Sequence, residues 1–185
     1  MPVRPMTMDF LLNAFSGESM AHMRYLIFAE VAEKEKFFNV ARLFKAIAHA
    51  EFVHARNHYS NLSEYKGDFK TVAGTPAGPG KTSKNLELAI MGEEYEVNEM
   101  YPAYLEVARA QGERGAERSF KWALEAEKIH SQLYREAKSY VDRGEDWVLK
   151  GKVWICTACG HTYVGEEPPE KCPICGVPKD RYLGF

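Results

Sequence analysis

The chain has 185 residues, of which 45% are apolar and 27% charged, a globular rather than a disordered composition. Twenty-four Lys and Arg against 26 Asp and Glu leave a net charge of −2, which excludes a general electrostatic footprint for nucleic acid or an anionic membrane. No apolar stretch approaches the roughly 20 residues of a membrane span, and the run Phe10 to Leu12 is too short for a signal-peptide core. The expectation is therefore a cytoplasmic protein whose thiols stay reduced. Glutamate, a good helix former, outnumbers aspartate by 21 to 5, which leans the chain towards helix.

Residues 7–62 predict two helices. Thr7 or Asp9 is placed to cap the first, in which Phe10, Leu11, Ala14, Phe15 and Glu18 recur at helical spacing. A break near Lys36 to Asn39 separates it from a second helix carrying Val40, Leu43, Phe44, Ile47, Ala48, Glu51 and His54. Residues 65–83 hold four Gly and two Pro within 19 residues, a long connection that suits a crossover along a helical bundle. Within it, Gly80-Lys81-Thr82 imitates the end of a phosphate-binding loop. Thr75 stands where that loop needs its first Gly, Pro76 and Pro79 remove amides, and no strand precedes it, so the motif is set aside. Helical pattern resumes near Ser83, breaks at Gly112 to Gly115 and runs to about Arg143. Pro102 falls inside it and should kink or bulge the helix one turn past the carboxylates described next. Gly144 to Gly151 reads as a linker. From Lys152 the texture changes to Gly, Pro, Cys and aromatic residues, a segment too short to bury its own core without a staple such as a metal. The division is an all-α domain over residues 1–146 and a small Cys-bearing domain over 147–185.

Glu51/His54 and Glu127/His130 are both Glu-x-x-His pairs, whose side chains share one face of a helix. Taken singly, such a pair is weak; a solvated face reads equally well. Each pair, however, follows a Gly-Glu on the preceding helix, Gly17-Glu18 and Gly92-Glu93, at separations of 33 and 34 residues. The chain thus reads as two copies of a helical hairpin, each giving one lone Glu and one Glu-x-x-His. Four carboxylates and two imidazoles form the ligand set of a ferritin-like di-iron bundle, an oxygen- and nitrogen-rich site suited to Fe or Mn rather than a closed zinc site. Burying Glu18, Glu51, Glu93 and Glu127 without cations would be prohibitive, and two divalent ions cancel their charge. His22, His49 and His58 read as packing, supporting or surface residues, with His58 nearest the site. Glu94 reads as solvated, and Glu99 as either a supporting group or a surface ion pair. Met20, Met23, Met100, Phe28, Phe44 and Phe52 read as core.

All four cysteines fall in the last 30 residues, as Cys156-x-x-Cys159 and, after twelve residues, Cys172-x-x-Cys175. Each pair puts two thiolates on one knuckle, and Gly160 and Gly176 follow where the backbone must turn tightly. A tetrahedral tetrathiolate site suits zinc or iron, and in isolation the motif favours structural zinc.

With these motifs together, the chain resembles the rubrerythrins over essentially its whole length. The resemblance is carried by GESMAHMRY (17–25), EFVH (51–54), GEEYEVNEMYP (92–102), EKIH (127–130) and the cysteine tail. It implies a ferritin-like four-helix bundle with a C-terminal rubredoxin-like domain, a di-iron centre, and a mononuclear Fe(Cys)4 site that zinc can replace. Its ligands would be Glu18, Glu51, His54, Glu93, Glu127 and His130, with Cys156, Cys159, Cys172 and Cys175 in the tail. Glu96 matches an additional carboxylate that competes with His54 for one iron as the oxidation state changes. Tyr25 and Tyr101 match tyrosines that hydrogen-bond near the site, and Trp154 and Tyr163 match aromatics that shield the Fe(Cys)4 site. The implied activity is NAD(P)H-linked reduction of hydrogen peroxide to water, with an external reductase or rubredoxin as donor. The implied assembly is a homodimer in which one subunit's tail lies near the other's di-iron site. Two competitors share parts of the pattern: an iron-storage ferroxidase, for which an electron-transfer tail has no use, and a zinc-ribbon interaction protein with a vestigial bundle.

Overall fold

The computed structural model describes residues 2–185. Four helical rods form the larger part: α1 (Pro5–Lys34), α2 (Phe38–Ser60), a third rod, and α5 (Arg114–Val141). The third rod comprises α3 (Thr82–Tyr95), a π-helical turn (Glu96–Met100) and α4 (Tyr101–Gln111). Lys36, at a positive φ of 69°, makes the tight turn between α1 and α2, and Gly112, at φ 72°, ends α4, so each pair of rods is a hairpin. The irregular crossover between α2 and α3 has the place that its Gly and Pro content predicts.

The buried residues of α1 run Leu11, Ala14, Glu18, Ala21, Tyr25, Phe28 and Ala32, alternating steps of three and four as in a bundle seam. In α5 the corresponding run includes Phe120, Ala123, Glu127, His130, Tyr134, Ala137 and Val141. The glutamates and histidine therefore sit on the seams, in the middle of otherwise apolar stripes. Around them the core divides in two. One apolar cluster centres on Tyr25, Phe28, Phe44, Ile47 and Tyr134, the other on Leu11, Tyr101, Leu105, Phe120 and Ala123. Ring pairs such as Phe44–Tyr134 at 5.2 Å and Tyr104–Phe120 at 5.4 Å make both clusters dense, a geometry that adds to simple burial.

The tail forms a three-stranded antiparallel sheet in the order β2-β1-β3, from Lys152–Cys156 (β1), Thr162–Gly165 (β2) and Tyr182–Gly184 (β3). Val153 and Ile155 of β1 join the bundle core beside α2. The connecting segment is a strap rather than a loose linker. Asp146 accepts hydrogen bonds from the amides of Asn39 (2.8 Å) and Val40 (3.2 Å) at the start of α2, satisfying donors that a helix N-terminus leaves open. Trp147, the next residue, is buried in the bundle core.

Several expectations need correction. Thr7 lies within α1, which starts at Pro5; its hydroxyl donates to Gln111 Oε1 at 2.7 Å, while Arg4 takes the cap position. Met23 and Phe52 are exposed, on the outer flanks of α1 and α2. The bulge ahead of Pro102 reaches back to Glu96, so it lies among the carboxylates rather than one turn beyond them. The rubredoxin-like tail lies against α2 of its own chain. Arg56 donates to the Thr157 carbonyl (2.7 Å) and Asn57 to that of Ala158 (2.9 Å), fastening the first knuckle to α2.

Candidate metal centre

Glu18, Glu51, Glu93, Glu127, His54 and His130 are brought together from all four rods, each buried to 1% exposure or less. Their donor atoms form two overlapping groups, Glu18–Glu51–His54–Glu127 and Glu51–Glu93–Glu127–His130. Glu51 and Glu127 belong to both, the arrangement of two bridging carboxylates. His54 Nδ1 stands 2.9 Å from Glu51 Oε2 and 2.7 Å from Glu127 Oε1, and His130 Nδ1 stands 2.6 Å from Glu127 Oε2. Glu51 Oε1, Glu93 Oε2, both Glu127 oxygens and His130 Nδ1 are buried without hydrogen-bond partners. Orphaned polar atoms of this kind are costly. Aimed at common points, they fit two divalent cations, which four carboxylates would neutralise.

The electrostatics of the side chains themselves state the same need. Burial, then repulsion from Glu51 and Glu127, pushes the Glu18 carboxyl well above its usual range, and burial with Glu127 and Glu51 does so for Glu93. Burial disfavours a charge on His54 and on His130, but Glu127 overrides it and lifts both imidazoles. Without cations the cluster must hold protons; with them it can release these.

The lone glutamates are held symmetrically. Tyr25 donates to Glu93 Oε1 at 2.6 Å, and Tyr101 donates to Glu18 Oε1. Tyr25 follows Glu18 by seven residues and Tyr101 follows Glu93 by eight. The π turn absorbs the additional residue, so both tyrosines reach across to the opposite hairpin. Behind Tyr101, His58 Nε2 lies 3.0 Å from its hydroxyl, and His58 Nδ1 lies 2.6 Å from Ser119 Oγ. Burial, then the neighbouring His54, lowers His58 to about 3, so it is neutral. His22 Nδ1 meets the Ala48 carbonyl, and the His49 ring packs at a tilt against Phe52 and Phe185; neither joins the cluster.

Glu96, in the π turn, stands outside the two four-residue groups. Burial, then repulsion from Glu18, pushes its carboxyl well above the usual range, and it lines a cavity. Glu94 pairs with Arg135 on the surface, and Glu99 is exposed. Ser119, Gly160 and Thr162 support the site without an expectation for them from the sequence, and the Tyr134 hydroxyl is buried nearby without a hydrogen-bond partner, its pKa raised by burial and then by Glu93. Tyr134 was legible in principle, since it follows Glu127 by the same seven residues that separate Tyr25 from Glu18.

The four thiols form a second cluster, with Cys156 Sγ 3.7 Å from Cys175 Sγ and Cys159 Sγ 3.5 Å from Cys172 Sγ. A tetrahedron with metal–sulfur bonds of about 2.3 Å has edges of about 3.8 Å, so the thiols fit one tetrahedral ion. All four are free thiols. The thiols are coupled: hydrogen bonds with Cys156 and Cys159 hold Cys172 far below the thiol range, while Cys156 and Cys159 are themselves pushed up, so without a cation the cluster holds its protons unevenly. Trp154 packs against the cluster as expected, but Tyr163 points to solvent. The shield on that side is Tyr182, whose hydroxyl meets His161 Nδ1 at 2.6 Å.

The two clusters abut. His130 Nε2 lies 2.8 Å from Thr162 Oγ1, and His54 Nε2 faces Gly160, the residue after Cys159. Both histidines of the carboxylate cluster thus lean on the tetrathiolate knuckle. The rubrerythrin family model matches residues 9–138, and that for the rubrerythrin rubredoxin-like domain matches residues 154–182. This chain belongs to the rubrerythrin family. Rubrerythrin-2 of Clostridium acetobutylicum is 51% identical over 180 residues, covering 97% of each chain. Nigerythrin of Nitratidesulfovibrio vulgaris is 35% identical over 181 residues, covering 97% of this chain and 86% of that one. The structure of fully reduced, all-ferrous nigerythrin superposes with a TM-score of 0.84 at 33% identity, again over 97% and 86% of the two chains. A bacterioferritin from Rhodobacter capsulatus, at 19% identity and a TM-score of 0.68 over 77% of this chain and 89% of that one, shares the bundle fold. The carboxylate cluster thus fits a di-iron centre and the thiol cluster fits Fe(Cys)4. No described helix is long and apolar enough to cross a membrane.

Proposed function

We propose that this chain is a non-haem di-iron peroxidase that reduces hydrogen peroxide to water, fed with electrons through its own Fe(Cys)4 knuckle. The observation that carries this reading is the contact of Gly160 with His54 and of Thr162 with His130. An iron-storage ferroxidase withdraws electrons from iron and has no use for a redox site seated on its ligands. Each peroxide takes up two electrons and two protons to give two waters. A di-iron pair held by the cluster supplies the two electrons, one from each ferrous ion.

The chain's own residues then have separable tasks. Glu18, Glu51, Glu93, Glu127, His54 and His130 hold the metal pair. Tyr25 and Tyr101 orient Glu93 and Glu18, and the neutral His58 with Ser119 fixes the Tyr101 hydroxyl. The aromatic clusters on either side keep water out along the bundle axis, which strengthens every charge interaction between them. Glu96, between Glu18 and a solvent-connected cavity, is the carboxylate free to approach the His54 side. The inner knuckle, with Cys156 and Cys159 fully buried, faces the histidines. The outer one, with Pro173 and Gly176 exposed, is where an external donor reaches the site. That donor is an NAD(P)H-dependent reductase or a rubredoxin, in the cytoplasm where the thiols stay reduced. Because the knuckle serves its own chain, each subunit of a homodimer would be complete.

The test is steady-state peroxide consumption by the iron-loaded protein with a rubredoxin and its reductase. Glu96→Ala should keep its iron and lose activity by about 10–100-fold, in the range for outer partners of a metal site. A wild-type protein that leaves peroxide unconsumed overturns the reading, and an unimpaired Glu96→Ala overturns the role of Glu96.

A further inference from the structure

Gly17 and Gly92 directly precede Glu18 and Glu93, at equivalent places in the two hairpins. Both lie inside helices, where glycine costs stability relative to alanine. Neither has a positive φ, so the backbone does not require glycine. Close packing does not require it either. A Cβ at Gly17 would meet nothing within 4 Å, and one at Gly92 would meet only Arg24 Nη2, at 4.0 Å. What the two share is a cavity of about 400 Å³, which both line and which has Glu96 and Met100 on its inner wall.

The outer wall is the crossover at residues 72–76, held down at two points. Asn13 donates from its side chain to the Val72 carbonyl, and Arg24 donates to Thr75 Oγ1 at 3.2 Å. Glu96 is surrounded by the carboxylates of the site, yet it retains accessible surface because this cavity reaches it. The cavity therefore joins the outside to Glu96, on which the Glu18 carboxylate of the cluster bears most strongly.

We propose that Gly17 and Gly92 are kept without side chains to hold open the passage by which a small hydroperoxide reaches Glu96 and the metal pair. The inference builds on the peroxidase reading and adds the route and the residues that set its width. Two helix-weakening glycines are explained by the space that they leave.

The test uses iron-loaded, full-length protein reduced with dithionite and freed of it. Gly17→Ala and Gly92→Ala should each raise the melting temperature by about 2–4 °C, as a helix-interior glycine replaced without strain should. Gly17→Leu and Gly92→Leu should keep their iron but react with hydrogen peroxide roughly tenfold more slowly, because the added side chain fills the cavity, whose packed walls yield little. The slowing should be greater for tert-butyl hydroperoxide. Azide association with the oxidised centre should slow in parallel. Ala73→Trp, on the crossover wall and outside every helix, should reproduce these effects if a leucine variant fails to fold. Wild-type rates of azide and peroxide association in the leucine and tryptophan variants overturn the proposal, as do alanine variants that melt lower than wild type. If the wild-type protein ignores peroxide while leucine still slows azide, the passage stands and the peroxidase reading falls.

Discussion

The two glycines that follow the CxxC knuckles offer a matched perturbation. Gly160 has φ 82° and Gly176 φ 78°, so alanine at either position pays the left-handed penalty of about 1–2 kcal/mol. Their surroundings differ. Around Gly176 a Cβ meets nothing within 4 Å, whereas at Gly160 it would lie 2.6 Å from His54 Cδ2 and closer still to Nε2. Ordinary contact begins at 3.4 Å, and neither backbone nor imidazole is a flexible end, so the knuckle must retreat from His54 by about 1 Å. Both variants should therefore lose a similar left-handed increment of stability, about 2–8 °C in melting temperature. Gly160→Ala should lose a further overpacking increment of about 1–3 kcal/mol. The decisive assay is stopped-flow mixing of the fully ferrous protein with peroxide, followed by the ferric-thiolate colour of the tetrathiolate site. Gly176→Ala should develop colour at the wild-type rate. Gly160→Ala should consume its first peroxide normally and develop colour more slowly. Equal behaviour of the two variants would refute the claim that the knuckle delivers electrons across the His54 contact.

Other consequences concern the tyrosines and His58. Tyr101→Phe and Tyr25→Phe each remove a hydroxyl that orients a lone glutamate, and should weaken iron retention about 10–100-fold in chelator competition; unchanged retention would mean that the hydroxyls do not orient the ligands. His58, lowered to about 3, should stay neutral in the folded protein. The unfolded chain protonates it near 6.5, so the contribution is present above that pH and lost as pH falls. Between pH 7 and 5 the loss relative to His58→Gln should be about 2 kcal/mol. An NMR titration of its ring nitrogens showing protonation near 6.5 would contradict this.

Much of the site was legible because its ligands break the apolar pattern that carries them. Glu18 interrupts the stripe from Leu11 to Phe28, and Glu127 with His130 interrupts that from Phe120 to Val141; a repeat of spacing then joined the two hairpins. Cys-x-x-Cys spacing is equally local. What was not legible depends on surfaces that meet across the chain. Asp146 satisfies α2 amides more than 100 residues away, and no local pattern distinguishes that strap from a linker. The seating of the first knuckle on α2 follows from Arg56 and Asn57 reaching backbone carbonyls, contacts to which residue spacing is blind. Strand alternation hid the exchange of Tyr163 for Tyr182, because the shield comes from β3 rather than β2. Met23 and Phe52 read as core since the apolar faces of α1 and α2 are wider than the seam that they bury.

The most direct test is an anaerobic peroxide titration of the fully reduced protein with its metals counted element by element. Two irons in the carboxylate cluster and one in the thiolate cluster give about three per chain. They hold three electrons, so oxidation should end near 1.5 peroxides per chain. Iron confined to the thiolates, or a carboxylate cluster that binds iron and stays ferrous through the titration, would contradict the account.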